Sequence, residues 1–280
     1  VAYLQSYRNK NMEAETFLRS CNLTDFINQT NFPRKIENLV QEFSSLQPLG
    51  LDEPDRFDVV HQTYFANLNC KKARLVSTVH DVIPIEAPQL FNKMNGFFSK
   101  KNLKRQVLLS DAIIAVSKYT KDRILAHYDV RESKIHVLPL GIGSEVLKFS
   151  CPTARSKNFN YFLSIGNIEP RKNHLTAARA IAKLNRKLNA DFKYIVVGRE
   201  LFQSDRIVAQ LREVLGENLI VTGFLSNSDK LNWLSNATAH IFPSSYEGFG
   251  LPALESYHLK IPTLLANNSS LTELAVDPWQ

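Results

Sequence analysis

Apolar and polar positions follow two alternating patterns along this chain. Short runs rich in β-branched and aromatic residues are separated by longer segments whose apolar residues recur every three or four positions, which is typical of α/β folds with parallel sheets. The runs predict nine strands, at 57–60, 75–79, 112–116, 135–138, 161–165, 194–197, 219–221, 239–242 and 263–266. The clearest predicted helix spans residues 173–188, with one apolar stripe made by Leu175, Ala178, Ile181, Leu184 and Leu188.

One segment, residues 141–159, has neither pattern. It contains glycine, proline and serine with few apolar residues, and it separates two groups of predicted strands. We therefore predict two Rossmann-like, doubly wound domains, over residues 1–150 and 151–280. The length of 280 residues fits this division, because a domain takes roughly 150 residues.

The residues that directly follow the predicted strands are the first candidates for chemistry. In doubly wound sheets a ligand binds beyond the carboxyl ends of the strands. Polar, cationic and glycine residues are concentrated at these ends: His61, His80, Asp81, Ser117, Gly166, Asn167, Glu169 to Lys172, Gly198, Arg199, Gly223, Phe224, and 243–250. We expect the two domains to bind a ligand in the cleft between them.

Charge adds a second candidate surface. The formal net charge is +7, and residues 1–157 carry 22 basic against 16 acidic side chains, or +6 of it. The excess is densest in one predicted helix, at Lys93, Lys100, Lys101, Lys104 and Arg105, next to Phe97 and Phe98. A solvated helix face is one interpretation, and a surface for anionic lipid or an acidic substrate is the other. No motif indicates nucleic-acid binding.

The three cysteines do not indicate a further functional site. Cys21, Cys70 and Cys151 are far apart and in no metal-binding spacing, which argues against a disulfide framework and structural zinc. A reducing, cytoplasmic setting is expected, and the basic helix face adds the alternative of a place at the inner face of the cell membrane. No run approaches the ~18 apolar residues of a membrane span.

The segment with the most chemical information is 242–255. Gly248 and Gly250 leave main-chain N–H groups accessible, and Pro252 suits the first turn of a helix whose N-terminus favours an anion such as a diphosphate. Glu247 stays in the loop while Glu255 lies about one turn into the helix. Two carboxylates placed in this way can hold different parts of one elongated ligand.

These residues resemble a known family. The pair Glu247 and Glu255, around Gly-Phe-Gly-Leu-Pro, looks like the E-x7-E signature of retaining glycosyltransferases of family 4, which have the GT-B fold. Three other segments are similar to that family: 164–173, at the opening of its C-terminal domain, 78–84, at its His-Asp turn, and 222–225, at its nucleobase-side loop. The resemblance covers about residues 57–274.

The resemblance implies roles for particular residues. Arg171 and Lys172 would neutralise the donor diphosphate without a metal, Glu247 would hold the donor sugar, Glu255 the ribose, and His80 would face the reacting sugar. The implied catalytic residues are His80, Lys172 and Glu247. The implied donor-binding residues are Gly166, Arg171, Lys172, Gly198, Phe224, Gly248, Phe249, Gly250, Leu251 and Glu255. No cofactor is implied besides the donor, a UDP- or GDP-sugar.

The function implied is metal-independent transfer of a hexose, with retention, to a glycan or polyprenyl-linked acceptor. The segments around His61 and His80 are most like mannosyl- and glucosyltransferases of surface polysaccharides. One alternative is a non-catalytic GT-B protein that binds or regulates. Another is a dinucleotide oxidoreductase, since Gly248, Gly250 and Ala253 match a G-x-G-x-x-A fingerprint, although Pro252 lies inside it. No first strand is recognisable in residues 1–56, and the last family elements are not found, so the chain looks truncated at both ends.

Overall fold

A computed structural model describes residues 2–4, 58–63, 72–90, 93–150, 159–201 and 203–275, with side chains of 2–4 and 93–95 excepted. The chain forms two compact units. The first consists of Val1–Gln89 and Lys93–Leu138, and the second of Leu90–Asn92 and Pro139–Gln280. All three cysteines lie outside the described residues.

The first unit contains a five-stranded parallel sheet in the order β1-β2-β3-β4-β5. Its strands and helices are β1 Ala2–Leu4, β2 Val59–Gln62, β3 Arg74–Val79, α1 Ile83–Glu86, α2 Lys93–Leu109, β4 Ala112–Ala115, α3 Lys118–His127 and β5 Ile135–Val137, with 3-10 turns at Pro88–Leu90 and Glu132–Lys134. No first strand is recognisable from the sequence of residues 1–56, but the structure has β1 there, paired with β2.

Burial explains why these segments form the sheet. Leu75 and Val79 in β3 and Ile113 in β4 are almost completely buried. Leu103 and Val107, four positions apart on α2, are also fully buried, so this helix has one apolar face. The next helix, α3, is capped by Ser117, whose hydroxyl accepts a hydrogen bond from the Thr120 N–H at 3.0 Å.

The second unit also has a five-stranded parallel sheet, in the order β10-β9-β6-β7-β8. Its elements are α4 Ser144–Lys148, β6 Tyr161–Ile165, α5 His174–Leu188, β7 Lys193–Val197, α6 Ser204–Leu215, β8 Leu219–Gly223, α7 Asn227–Ser235, β9 Ala239–Phe242, α8 Leu251–His258 and β10 Thr263–Leu265, with 3-10 turns at Pro170–Lys172, Gly216–Asn218 and Ser269–Glu273. The chain leaves β6 toward β7 on one side and reaches β9 and β10 on the other. This reversal is the topological switch point of the sheet.

Both faces of this sheet are covered. In β7 the adjacent residues Val196 and Val197 belong to different apolar clusters, one packed with Ile181 of α5 and the other with Leu231 of α7. Strands buried on both faces need continuous apolar runs, which is why β7 reads as an unbroken Tyr-Ile-Val-Val in the sequence.

The nine predicted strands are all found, and the GT-B expectation of two parallel-sheet α/β units is confirmed. The predicted helix at 173–188 is α5. Residue 57, at the start of the first predicted strand, lies outside the described residues. The second unit starts at Pro139, so α4 belongs to it, and Val146 of α4 packs in the core of that unit.

Candidate functional site

The loops that follow β6 and β9 meet at the switch point of the second sheet. Pro170 opens a 3-10 turn through Lys172, and Asn173 ends it in the left-handed region, at φ 54°, which asparagine tolerates better than most residues. The Ser245 N–H donates to the Arg171 carbonyl at 2.8 Å, and the Asn173 amide donates to the Pro243 carbonyl at 3.2 Å. These bonds fix the two loops against each other.

Glu247 pairs with two cations at this junction. Its carboxylate oxygens lie 2.7 Å from a terminal nitrogen of Arg171 and 2.7 Å from the Lys172 Nζ. Arg171 also pairs with Glu169 at 2.6 Å and donates to the Tyr246 carbonyl at 2.8 Å. Lys172 and Glu247 are each only 8% exposed, so the pair is well shielded from water.

Burial and charge act against each other on these groups. Burial lowers the pKa of Lys172, and the neighbouring Arg171 adds to this, so that the pKa stays below its usual value despite Glu247. Burial raises the pKa of Glu247, but Lys172 and Arg171 together overcome it and leave this pKa below its ordinary value. Burial also opposes the charge of Arg171, yet its two carboxylate partners raise its pKa. Glu247 is therefore an ionised carboxylate held between two cations.

Two glycines named in the sequence analysis make room for Lys172. Gly166 has φ +146°, and a Cβ there would lie 2.9 Å from the Lys172 Cε. A Cβ at Gly198, at the end of β7, would lie 1.9 Å from the Gly166 carbonyl oxygen, so this position excludes any larger residue. Gly166 and Gly198 therefore allow the ends of β6 and β7 to approach each other closely.

The loop from Gly248 to Leu251 leads into α8, as predicted. Gly250 has φ +112°, and a Cβ there would lie 2.8 Å from Leu271. The helix begins at Leu251, with Pro252 in its first turn and no side-chain cap on its N-terminus. An uncapped N-terminus keeps its positive end available to an anion.

The sequence analysis missed the serines that brace this loop. Ser269 accepts a hydrogen bond from the Glu247 N–H at 3.0 Å. The buried Ser270 hydroxyl donates to the carbonyls of Glu247 and Phe249, at 2.9 and 3.2 Å. The only signal for them was their place just after β10, at the same edge of the sheet.

Glu255 has a partner that the spacing of acidic residues could not indicate. On α8 its two carboxylate oxygens each accept a hydrogen bond from the Lys230 Nζ, at 2.8 Å. Lys230 lies on α7, twenty-five residues earlier in the sequence. Glu255 is thus oriented from a second helix rather than by its own loop.

Phe224 follows β8 at the same edge and is 68% exposed. The Arg199 guanidinium, which follows β7, lies over its ring at 4.4 Å from the centroid. Arg199 is one of the residues that directly follow the predicted strands, and the resemblance implies no role for it. The structure pairs it with the one aromatic residue that the resemblance placed on the nucleobase side.

Two buried histidines lie near Lys172. Burial, and then the charge of Lys172, lowers the pKa of His174 to about 4 and that of His240 to about 3. Ser256 donates to the Pro252 carbonyl at 2.7 Å and therefore accepts from the His240 Nδ1–H at 2.7 Å. Both rings are neutral near pH 7 and add no charge to the cluster.

His80 is in the first unit, at the end of β3, while the other predicted site residues are all in the second. Its Nε2 lies 2.9 Å from the Thr63 carbonyl oxygen. The next residue, Asp81, accepts a hydrogen bond from the Ile83 N–H at 2.9 Å at the start of α1. The His-Asp turn thus lies at a strand end, where ligands bind in such sheets.

The basic residues of α2 differ in exposure. Lys100, Lys101 and Lys104 are exposed, Arg105 is partly buried, and Phe97 is 65% exposed. The side chain of Lys93 is outside the described residues. No helix in the described ranges is long and apolar enough to cross a bilayer, and none of their His, Cys, Asp and Glu side chains form a metal-binding group of three.

Two family models match the chain, one in each half. Residues 16–146 match the model described as Glycosyltransferase Family 4, and residues 149–278 match the model described as Glycosyl transferases group 1. The fold and these two matches define the class of protein. By sequence and fold the chain belongs with the glycosyltransferases of the GT-B type.

Curated relatives agree with this class. The chain is 26% identical over 215 residues to the serotype-specific mannosyltransferase WbdA of Escherichia coli, covering 72% of this chain and 26% of WbdA. It is 26% identical over 212 residues to the O-antigen chain mannosyltransferase B of Escherichia coli, covering 73% of this chain and 56% of that protein. The chain thus spans only part of the length of these relatives.

Solved structures share the fold. WaaG, a glycosyltransferase involved in lipopolysaccharide biosynthesis, superposes with a TM-score of 0.62 at 17% identity, covering 78% of this chain and 62% of that one. Anabaena HepE, solved in complex with UDP and glucose, superposes with a TM-score of 0.61 at 20% identity, covering 79% and 62%.

Proposed function

We propose that this chain is a retaining, metal-independent hexosyltransferase that takes its sugar from a nucleoside diphosphate. The observation that carries the proposal is the buried cluster of Arg171, Lys172 and Glu247 at the switch point of a parallel sheet. Such switch points bind nucleotides, and the leaving group of this reaction is a diphosphate that needs cations. The relatives named as mannosyltransferases favour mannose as the hexose. We propose a glycan or polyprenyl-linked acceptor.

The diphosphate is assigned to Arg171, Lys172 and the N-terminus of α8. Arg171 and Lys172 face two carboxylates, Glu169 and Glu247, so the cluster as a whole has no formal charge. A diphosphate must therefore share or replace carboxylate oxygens on these cations. Glu247 can then turn its oxygens to the hydroxyl groups of the donor sugar, while Ser269 and Ser270 keep its backbone in place.

In the proposed reaction, cleavage of the bond between the anomeric carbon and the phosphate oxygen comes first. The departing oxygen takes the proton of the acceptor hydroxyl, and the acceptor oxygen bonds to the anomeric carbon on the same face. The charge growing on the diphosphate is stabilised by Arg171 and Lys172, as in other preorganised electrostatic sites.

Glu255→Ala is expected to weaken the binding of nucleoside diphosphates. The assigned role of Glu255 is to accept hydrogen bonds from the ribose, and loss of such an acceptor costs about 1–3 kcal/mol, or about 5- to 150-fold in Kd. Calorimetric titration with GDP and UDP measures this. Glu213→Ala, on the exposed side of α6, is the matched control. An unchanged Kd for both ligands in Glu255→Ala refutes the ribose assignment.

Donor binding is expected to survive an excess of EDTA. The reason is that two side-chain cations, Arg171 and Lys172, lie where the diphosphate is assigned. Their positive charges neutralise the diphosphate in place of a divalent ion. Titration of GDP-mannose and UDP-glucose before and after chelation tests this. A Kd that rises with EDTA and is restored by manganese would contradict the metal-independent mechanism.

We also propose that the chain works at the cytoplasmic face of a membrane, through Lys93, Lys100, Lys101, Lys104 and Arg105 of α2. Each cation near an anionic surface contributes about 1 kcal/mol, within a Debye length of about 8 Å. The exposed ring of Phe97 can enter the headgroup region beside them.

Flotation with vesicles of phosphatidylglycerol and phosphatidylcholine is expected to show salt-sensitive binding. Reversing the charge of Lys100, Lys101 and Lys104 should abolish it, whereas reversing Lys183, Arg186 and Lys187 of α5, which are equally basic, should not. If the variant with reversed Lys100, Lys101 and Lys104 floats to the same extent as the unaltered chain, these lysines of α2 are only a solvated face.

A further inference from the structure

Arg199 and Phe224 form a pair at the ends of two neighbouring strands. The Arg199 guanidinium carbon is 4.4 Å from the Phe224 ring centroid, and the ring remains 68% exposed. No hydrogen bond or ion pair within the described part of the chain engages the Arg199 guanidinium. Its N–H donors are therefore available at the edge of an exposed aromatic surface.

The backbone holds this pair in place although both side chains are exposed. The Gly198 N–H donates to the Gly223 carbonyl at 3.0 Å, which joins the residues immediately before Arg199 and Phe224. The Arg199 carbonyl accepts from the Ile168 N–H at 2.8 Å, which ties the same loop to the end of β6. Arg199 is thus positioned by three strand ends rather than by a mobile loop.

The pair is also connected to the cation cluster by direct contacts. Gly198, next to Arg199, packs so closely on the Gly166 carbonyl that a Cβ would lie 1.9 Å from it. Gly166 in turn contacts Lys172. A ligand whose diphosphate lies on Lys172 can therefore extend along the same sheet edge, from β6 past β7, to the Arg199 and Phe224 pair.

Arginine presents two parallel N–H donors in a fixed fork. Among the nucleobases, guanine offers two adjacent acceptors on one edge, O6 and N7, that match this fork. Adenine places a donor beside N7, and a pyrimidine with an O4 carbonyl offers a single acceptor there. The exposed Phe224 ring, 4.4 Å from the guanidinium carbon, offers an aromatic face next to such a base, and stacking on an aromatic ring is favourable for every base.

We infer that Arg199 determines the base specificity of the donor and selects guanine, with Phe224 as its stacking support. The inference rests on the proposed function, because it requires a nucleoside diphosphate on Lys172. It makes the donor a GDP-sugar rather than a UDP-sugar. A bidentate arginine contact discriminates between bases by about 5- to 150-fold.

The test is calorimetric titration of the intact chain with GDP, UDP and ADP. GDP is expected to bind at least about fivefold more tightly than the other two. Arg199→Ala should remove this preference by weakening GDP alone, and Phe224→Ala should weaken all three ligands. Arg212→Ala, on an exposed position of α6, should change none of them.

The outcomes separate this inference from the proposed function. If UDP binds as tightly as GDP, or if Arg199→Ala keeps the preference for GDP, the base assignment is overturned while the donor site stands. If none of the three ligands binds, the proposed function fails and this inference fails with it. Circular dichroism of the variants shows whether each is folded.

Discussion

Glu247→Ala is expected to destabilise the second unit by about 3–5 kcal/mol. The substitution leaves Arg171 and Lys172 buried beside each other with only Glu169 to balance them. Removing one partner of a buried pair costs this much because the remaining charge is uncompensated. Trp233 lies on α7 of the second unit, so urea unfolding followed by tryptophan fluorescence measures the stability of that unit.

The double variant Glu247→Ala with Lys172→Met makes this test specific. Removing Lys172 as well takes away one uncompensated cation, so the double variant should be more stable than Glu247→Ala alone. An exposed carboxylate of the same unit, Glu213, serves as the control, and its alanine variant should change the unfolding free energy by less than about 0.5 kcal/mol. A loss below about 1 kcal/mol in Glu247→Ala would mean that the cluster is solvated.

Lys172→Met is expected to slow transfer about 100- to 1000-fold. Lys172 is assigned to the leaving diphosphate, and removal of one preorganised donor at a site of developing charge costs this much in rate. The second unit should lose some stability, because one carboxylate charge is left uncompensated, but it should stay folded because Arg171 still pairs with Glu247. Release of the nucleoside diphosphate from GDP-mannose and from UDP-glucose, measured at saturating donor, reports the rate.

The matched control is Lys183→Met, on an exposed position of α5, which should leave the rate unchanged. A rate in Lys172→Met within about threefold of the unaltered chain would remove Lys172 from the mechanism. If the rate is low but the urea transition also shifts strongly, a second variant, Lys172→Arg, separates charge from folding, since it keeps the cation.

Most of the sheet framework could be predicted from the sequence because its strands are unbroken apolar runs. Tyr194 to Val197 and Tyr161 to Ile165 are buried on both faces, and such strands have few polar interruptions. The strand Ala2–Leu4 could not be recognised, since a strand of only three residues is too short to show a period. Its assignment depends on pairing with β2, far along the sequence.

The candidate site was only partly predictable, for a physical reason. Glu247, Gly250 and Glu255 are close in sequence, so spacing alone placed them on one loop and helix. The partners Lys230, Ser270 and Arg199 come from other strand ends and helices, and only the fold brings them to these residues. Spacing along the chain carries no information on contacts of this kind.

Saturation-transfer difference NMR tests whether the second unit binds a nucleotide sugar at the ends of β6 and β9. The intact chain is mixed in turn with GDP-mannose, UDP-glucose and an ADP-sugar. Saturation is expected on the base, ribose and anomeric protons of at least one donor, with displacement by the matching nucleoside diphosphate and loss of signal in Lys172→Met. Absence of transfer to all three donors at millimolar concentration, or equal transfer in Lys172→Met, would contradict the account.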